Sequence, residues 1–231
     1  MNKVFQSAAE AVADVQDGAV IMSGGFGLCG NADLLIRALL EKGVKNLTLV
    51  SNNCGTSERG LGVLLKTRQV KKVIASYVGE NKEFERQYLS GEIEVELNPQ
   101  GTLAERIRAG GAGIGGFFTP TGAGTLIAQG KESRVLNGRE MIFETGLAAD
   151  YAIVHAWKAD TMGNLVFRKT ARNFSPMMCT AARVAIVEAE QIVQPGEIDP
   201  DQVHLPGIYV KRIIQASREP KWIEKRTLRA G

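Results

Sequence analysis

The sequence is poor in cysteine and has no long apolar run. Its three cysteines, Cys29, Cys54 and Cys179, are far apart and form no C-x-x-C pair, which argues against a disulfide scaffold or a zinc cage. No uninterrupted apolar stretch approaches the roughly 20 residues that cross a bilayer, and the N-terminal residues lack the apolar core of a signal peptide. We therefore expect a cytoplasmic protein with reduced thiols and no membrane segment.

The chain also lacks a marked excess of charge of either sign. Its formal net charge is +3, and its lysines and arginines are interspersed with acids, so no nucleic-acid surface is expected. One basic stretch, residues 221–229, is interpreted as a solvent-exposed segment or a subunit contact. His155 and His204 are isolated, so we predict structural histidines and no metal site.

Apolar segments of strand length alternate with segments of helical period along most of the chain. Strands are predicted over residues 19–23, 47–51, 70–75, 93–97, 151–157 and 184–188. This alternation is typical of an α/β fold with an open, mainly parallel sheet and helices on both faces. Residues 108–130, rich in Gly, Thr and Pro, are predicted to form a long loop, and Asn137-Gly138 predicts a small β-hairpin flap around 131–145. No linker divides the chain, so residues 1–231 are interpreted as a single domain.

The most informative motif is a glycine-rich loop directly after the first predicted strand. Residues 23–30 read S-G-G-F-G-L-C-G and contain G-x-G-x-x-G, the dinucleotide fingerprint that places a pyrophosphate at a helix N-terminus. That fingerprint also requires an acidic residue at the end of the next strand, but Asn52 and Asn53 stand there, directly after the strand predicted over 47–51. NAD is therefore disfavoured. Two interpretations of the glycines remain open: the loop backbone approaches another ligand closely, or the loop is a tight turn that binds no ligand.

Three polar loops are expected to meet at one edge of the predicted sheet. They cover residues 24–30, 51–60 and 98–102, each after a strand, and ligands of open α/β sheets bind beyond the carboxyl ends of the strands. Asn52 and Asn53 either cap backbone groups of a turn or donate amide hydrogen bonds to a carbonyl or carboxylate.

Six motifs, in order along the chain, resemble the family I CoA-transferases. They are GGFGLCG at 24–30, SNNCG at 51–55, NPQGTLAER at 98–106, FTPTGAGT at 118–125, ARNF at 171–174 and PGIYV at 206–210. The resemblance covers nearly the whole chain and is to the A subunit of the family. One departure is Asn31-Ala32 after the first motif, where the family commonly has x-Pro, so Asn31 is expected to cap the next helix instead.

The resemblance implies transfer of CoA from succinyl-CoA to a 3-oxo acid such as acetoacetate. In this mechanism a glutamate takes the CoA as a glutamyl-CoA thioester, and that glutamate belongs to the family's B half, which is a separate B subunit in the bacterial-type enzymes. The resemblance therefore implies a B-subunit partner, an α2β2 assembly, no catalytic residue in this chain and no permanently bound cofactor, the CoA thioester being a substrate. The loop carboxylates are interpreted as ordinary surface groups; they are Glu58, Glu80, Glu105 and Glu144.

The resemblance also implies two groups of binding residues. The expected CoA-binding residues are Gly24, Gly25, Phe26, Gly27, Leu28, Cys29 and Gly30. Gln100 is similar to the family's contact with the substrate carboxylate, with Asn52 and Asn53 in the same pocket. For Gln100 the alternative is a side chain that satisfies loop backbone. For the chain as a whole, the alternative is a sugar-phosphate isomerase or an effector-sensing domain of similar α/β architecture.

Overall fold

A computed structural model describes residues 2–217, which form two sheets and six α-helices; the basic stretch 221–229 lies outside these residues. The helices are α1 (Ala8–Ala11), α2 (Asp33–Lys42), α3 (Gly62–Lys66), α4 (Lys82–Leu89), α5 (Gln100–Gly111) and α6 (Ser175–Ala181). The strands are β1 (Val20–Ser23), β2 (Leu47–Val50), β3 (Val70–Ala75), β4 (Glu94–Leu97), β5 (Gly116–Thr119), β6 (Ser133–Leu136), β7 (Arg139–Thr145), β8 (Ala149–Asp160), β9 (Leu165–Val166), β10 (Ala182–Val193) and β11 (Val210–Gln215).

The larger sheet confirms the predicted α/β architecture. Its order is β11-β10-β8-β1-β2-β3-β4, all neighbours along this path are parallel, and β9 pairs antiparallel with β8. Successive residues of β1 point to opposite faces, so Ile21 joins one hydrophobic cluster with Leu35 and Leu39 of α2, whereas Met22 joins another with Leu103 of α5. Helices therefore cover both faces, and the carboxyl ends of the parallel strands lie at one edge.

The smaller sheet is the predicted flap, enlarged by one strand. β6 and β7 form the hairpin, and its turn residues Asn137 and Gly138 both have positive φ, as this two-residue turn requires. The prediction of a loop over 108–130 is wrong at its start and in its middle, because α5 continues to Gly111 and β5 pairs with β7. The rings of Phe118 and Phe143 pack with their centroids 5.1 Å apart, and this contact stabilises the pairing of β5 with β7 despite the glycines around β5, which disfavour a strand.

Buried charges connect the flap to α5. Arg106 is 6% exposed and donates to the Thr145 carbonyl oxygen on β7 (2.9 Å) and to Glu96 Oε1 in β4 (2.6 Å). Lys131 Nζ donates to Glu144 Oε1 (2.6 Å), and Arg106 Nε lies 3.8 Å from the other oxygen of this carboxylate. We call these five residues the flap anchor. Each buried charge has an opposite charge beside it, which offsets the cost of removing it from water.

Candidate active site

The cavity at the carboxyl edge of the larger sheet is the candidate site. It has a volume of about 530 Å³, and it is lined by Phe26, Gly27, Asn52, Asn53, Gly55, Thr56, Ser76, Tyr77, Glu80 and Gln100. The three predicted loops meet here, and a fourth, after β3, contributes Ser76, Tyr77 and Glu80, which the sequence reasoning missed. Two smaller clefts lie at the opposite edge around Asp150 and Arg183, where parallel sheets do not usually bind ligands.

The glycine loop, residues 24–30, is a closed turn between β1 and α2. Phe26 and Cys29 exchange two backbone hydrogen bonds, both 3.0 Å long. Gly30 has φ +81°, and a Cβ built there would lie 2.8 Å from the Ala171 carbonyl oxygen, so this position requires glycine. The loop presents the side chain of Phe26 and the backbone of Gly27 to the cavity.

The loop after β2 repeats this turn, which was not visible in the sequence. Thr56 and Arg59 exchange backbone hydrogen bonds of 3.1 and 3.4 Å, and Gly60 follows with φ +63° as Gly30 follows Cys29. The segments F-G-L-C-G and T-S-E-R-G share only their last glycine, so the similarity lies in backbone geometry. Leu28 is 9% exposed and packs against both glycines of the second loop, so its side chain supports the cavity from outside.

A chain of neutral groups joins the glycine loop to Gln100. Gly27 N–H and Asn52 Nδ2 both donate to Asn53 Oδ1, at 2.9 and 3.1 Å. Ser76 Oγ and Gln100 Nε2 both donate to Asn52 Oδ1, each at 2.7 Å. We call these five residues the amide chain. The backbone N–H of Gly27 can only donate, so it fixes the oxygen of Asn53 and, through it, the orientation of Asn52 and Gln100.

The amide chain leaves hydrogen-bond donors at the cavity. Asn52 is 2% exposed and uses its oxygen and its nitrogen within the chain, so it acts as a connector. Gln100 is exposed, bonds to the Asn52 side chain and donates one proton of its NH₂ group there, which leaves the second proton available. Within residues 2–217, Asn53 Nδ2 has no acceptor. The arrangement can therefore donate neutral hydrogen bonds to an anionic group.

Gln100 is also the first residue of α5, and this position adds a partial positive charge. Pro99 is the N-cap residue, and its side chain makes no capping hydrogen bond to the first turn of this helix. The unsatisfied N–H groups of a helix N-terminus favour nearby anions. Asn98, just before the helix, accepts a 2.6 Å hydrogen bond from Arg106 Nη1, so the flap anchor also steadies the start of α5.

The start of α2 differs from the prediction. Its N-cap residue is Ala32, without a capping side chain, so the expectation that Asn31 caps this helix is wrong. Asn31 instead turns back to the glycine loop, with Nδ2 3.5 Å from the Gly27 carbonyl oxygen. Leu34 N–H donates to Glu188 Oε2 on β10 (2.8 Å), so a buried carboxylate 154 positions away supplies the first turn with an acceptor.

The carboxylates of Glu58, Glu105 and Glu144 each pair with a cation. Glu58 pairs with Lys66, Glu144 with Lys131, and Glu105 with Arg108, whose hydrogen bond lowers the pKa of the Glu105 carboxyl. Glu80 is the carboxylate among the residues that line the cavity. It is therefore the acidic group whose role an experiment must decide.

The cysteine thiols are free and differ in burial. Burial raises the pKa of Cys54 and of Cys179 to about 12, so neither is a thiolate at neutral pH. Cys29 is partly exposed, and its sulfur lies 3.5 Å from Thr170 Oγ1. No group of three or more metal-ligating side chains occurs within residues 2–217. None of the helices described there is long and apolar enough to cross a membrane.

The sequence matches the family model described as Coenzyme A transferase over residues 5–216. The A subunit of the probable succinyl-CoA:3-ketoacid coenzyme A transferase of Bacillus subtilis is 60% identical over 228 residues, which cover 99% of this chain and 96% of that protein. The A subunit of the succinyl-CoA:3-ketoacid coenzyme A transferase of Helicobacter pylori strain J99 is 57% identical over 231 residues and the full length of both chains.

Solved structures support the same assignment at the level of fold. An acyl-CoA transferase of Escherichia coli O157:H7, in a thioester complex with CoA, gives a TM-score of 0.85 at 22% identity over 95% of this chain and 48% of that chain. This chain thus spans about half of the E. coli protein. Glutaconate coenzyme A-transferase of Acidaminococcus fermentans gives 0.81 at 20% identity, over 93% of this chain and 75% of that chain. The isomerase and sensor alternatives are not favoured, the predicted resemblance is confirmed, and the chain belongs to the Coenzyme A transferase family.

Proposed function

We propose that the chain is the A subunit of a two-chain enzyme that moves CoA from succinyl-CoA to a 3-oxo acid such as acetoacetate. The names of the full-length relatives support this choice of substrates. The observation that carries it is the amide chain, because Asn53 and Gln100 both line the cavity and each keeps an amide N–H that the chain does not use. We interpret residues 1–231 as one A-subunit domain that works in the cytoplasm.

The nucleophile of the proposed reaction is a glutamate of the B subunit. This carboxylate attacks the thioester carbonyl and expels CoA as a thiolate, which gives an acyl-glutamyl anhydride. The thiolate then attacks the glutamyl carbonyl, so that a glutamyl-CoA thioester forms and the first acid leaves as a carboxylate. The second acid reverses these steps, and the energy of the thioester is kept on the enzyme throughout.

Gln100 and Asn53 orient the carboxylate of the acid substrate. A neutral amide donates hydrogen bonds to this group without adding a full positive charge, so the carboxylate remains able to attack. The N-terminus of α5 adds a weak attraction for the same anion. Asn52 connects the two amides and fixes which of their atoms face the substrate.

The glycine loop forms the wall for the CoA thioester. Phe26 and Gly27 are assigned direct contact because they line the cavity. The other residues proposed for CoA binding give the loop its shape: Gly24, Gly25, Leu28, Cys29 and Gly30. Phe26 and Tyr77 are 52% and 58% exposed at the cavity, a surface that we assign to the B subunit in an α2β2 assembly. Closure there would exclude the water that hydrolyses an anhydride or thioester.

The test is reconstitution with the B-type product of a neighbouring gene. We expect no succinyl-CoA:acetoacetate exchange from this chain alone and rapid exchange from the co-purified pair. Borohydride reduction of the glutamyl-CoA thioester, followed by peptide mapping, should place the modified residue on the partner. Robust exchange by the isolated chain would disprove this division of labour.

Glu80→Gln is the matched control because Glu80 is the carboxylate that lines the cavity in this chain. The enzyme assembled from the Glu80→Gln chain and its B subunit should keep its CoA-exchange activity within a few-fold of the unmodified enzyme, as expected for a residue that takes no covalent role. Loss of exchange together with modification of Glu80 in the unmodified enzyme would move the nucleophile to this chain.

A further inference from the structure

The glycine loop is held at both of its ends by one side chain, that of Asn173. This residue lies between the 3-10 helix Lys169–Arg172 and α6. Its Oδ1 accepts from Gly25 N–H (3.0 Å), and its Nδ2 lies 3.3 Å from the Cys29 carbonyl oxygen, to which it donates. The turn closed by Phe26 and Cys29 lies between these two points. The side chain of Asn173 therefore fixes the part of the loop that presents Gly27 to the cavity.

The same amide is bonded to its own segment. Oδ1 also accepts from Phe174 N–H (2.7 Å), and Nδ2 also donates to the Ala171 carbonyl oxygen (3.0 Å). One side chain thus connects four backbone groups from two segments that lie more than 140 positions apart. The two segments pack closely as well, since a Cβ built on Gly30 would lie 2.8 Å from Asn173 Nδ2.

The backbone of Asn173 adopts a conformation that glycine favours. Its φ is +28° and its ψ is −125°, whereas the other described non-glycine residues with positive φ have values between 50° and 57°. A residue with a Cβ is strained in this region, and glycine is not. Asparagine at this position is therefore strained in its backbone, but its side chain supplies the two hydrogen bonds that hold the loop.

We propose that Asn173 is a positioning residue for the acyl-CoA site. It sets the glycine loop so that Gly27 N–H points at Asn53 Oδ1 and orients the amide chain from its first donor. Asn173 acts through the loop and is not among the residues that line the cavity. The identity of the ligand as an acyl-CoA thioester rests on the proposed function.

The test compares Asn173→Ala and Asn173→Gly in the enzyme assembled with its B subunit. Alanine removes the hydrogen bonds and keeps the strained Cβ, whereas glycine removes the hydrogen bonds and relieves the strain. Asn137→Gly is the control, since it removes a positive-φ asparagine from the flap turn. We expect Asn173→Ala to lower the melting temperature and Asn173→Gly to recover it.

The kinetics separate positioning from folding. Both Asn173 variants should raise the KM for succinyl-CoA about tenfold, as expected for the loss of hydrogen bonds that hold the loop, and the KM for acetoacetate should rise as well, because Gly27 of the same loop orients Asn53 and Gln100. Asn137→Gly should leave both constants unchanged. If Asn173→Gly recovers the melting temperature and the succinyl-CoA KM together, the side chain has only a structural role and the proposal is overturned.

Amide hydrogen exchange of residues 24–30 tests the same role without a substrate. In the assembled enzyme, these amides should exchange faster in Asn173→Gly than in the unmodified and Asn137→Gly proteins, because Gly25 N–H loses its acceptor. Equal exchange would overturn the proposal. If the unmodified enzyme does not transfer CoA between succinate and acetoacetate, the proposed function is overturned instead. Faster amide hydrogen exchange of the loop in Asn173→Gly would then still support the role of Asn173 in holding the loop.

Discussion

Two regions of the molecule hold their polar side chains in opposite ways. The amide chain at the cavity consists of neutral donors and acceptors, and the order of its bonds is set by one backbone N–H group. The flap anchor consists of paired cations and carboxylates, with the buried Arg106 and Glu144 at its centre. Both regions connect distant segments, but only the flap anchor does so with full charges.

The difference follows from what each region has to hold. The flap anchor joins two parts of the fold, and ion pairs serve there because every buried charge keeps a fixed partner. The amide chain faces a substrate whose carboxylate must be oriented and must still react. A fixed cation there would bind the ground state more tightly without favouring the transition state. An amide orients the carboxylate with less stabilisation of its ground state.

The largest expected effect comes from breaking the flap anchor. Arg106→Met should lower the free energy of unfolding by about 3–5 kcal/mol, because it leaves the buried Glu144 and the half-buried Glu96 without this cation and removes the donor to Thr145. Urea unfolding of the chain measures the change. Arg108→Met, on the exposed side of the same helix, is the control and should change little. Equal loss in the two variants would contradict the role given to the buried pair.

The flap also shows where sequence reasoning works and where it stops. Local signals predicted the hairpin at Asn137-Gly138, and they predicted β3 to the residue. β5 was missed because its stability comes from pairing with β7, and its neighbouring glycines suggest a loop. Nothing local marks Arg106 as buried, since its partners lie on β4 and in the flap.

The next effect tests whether the cavity tolerates a charge. Gln100→Glu places a carboxylate beside the proposed position of the substrate carboxylate and removes a donor. We expect a loss of about 100-fold in kcat/KM for acetoacetate, since like charges repel in a partly enclosed site and one hydrogen bond is lost. Steady-state kinetics of the assembled enzyme measure it. An activity equal to that of Gln100→Ala would show that neutrality is unimportant at this position.

Gln100→Ala itself should have a smaller effect. It removes one neutral donor and leaves Asn52 Oδ1 bonded to Ser76, so we expect about a tenfold rise in KM for the acid or a matching fall in kcat. Assembly with the B subunit should be unchanged, which size-exclusion chromatography checks. Failure to assemble would instead assign Gln100 a structural role.

The candidate site was predictable in part. Strand ends and family motifs brought Asn52, Asn53 and Gln100 to one edge, because carboxyl ends of parallel strands share an edge whatever their order. Ser76 was missed because a lone serine after a strand carries no signal of its own. The direction of the amide chain and the strained conformation of Asn173 depend on contacts between segments far apart in sequence, so no local pattern contains them.

The smallest expected effect is a difference in pH dependence. Burial pushes the pKa of Glu96 upward, but the hydrogen bond and charge of Arg106, together with hydrogen bonds from Lys72 and Asn98, outweigh burial and hold this pKa below its usual range. A carboxyl with a lowered pKa in the folded state stabilises the fold above the unfolded pKa of about 4.3, and this contribution is lost as the pH falls further.

Arg106→Met removes the main cause of that lowering. Its free energy of unfolding should therefore decline less steeply below about pH 4.3 than that of the unmodified chain. Exposed acids such as Glu105 titrate in both proteins, so their contribution cancels when the two curves of unfolding free energy against pH are subtracted. Parallel curves would show that Arg106 does not stabilise the Glu96 carboxylate.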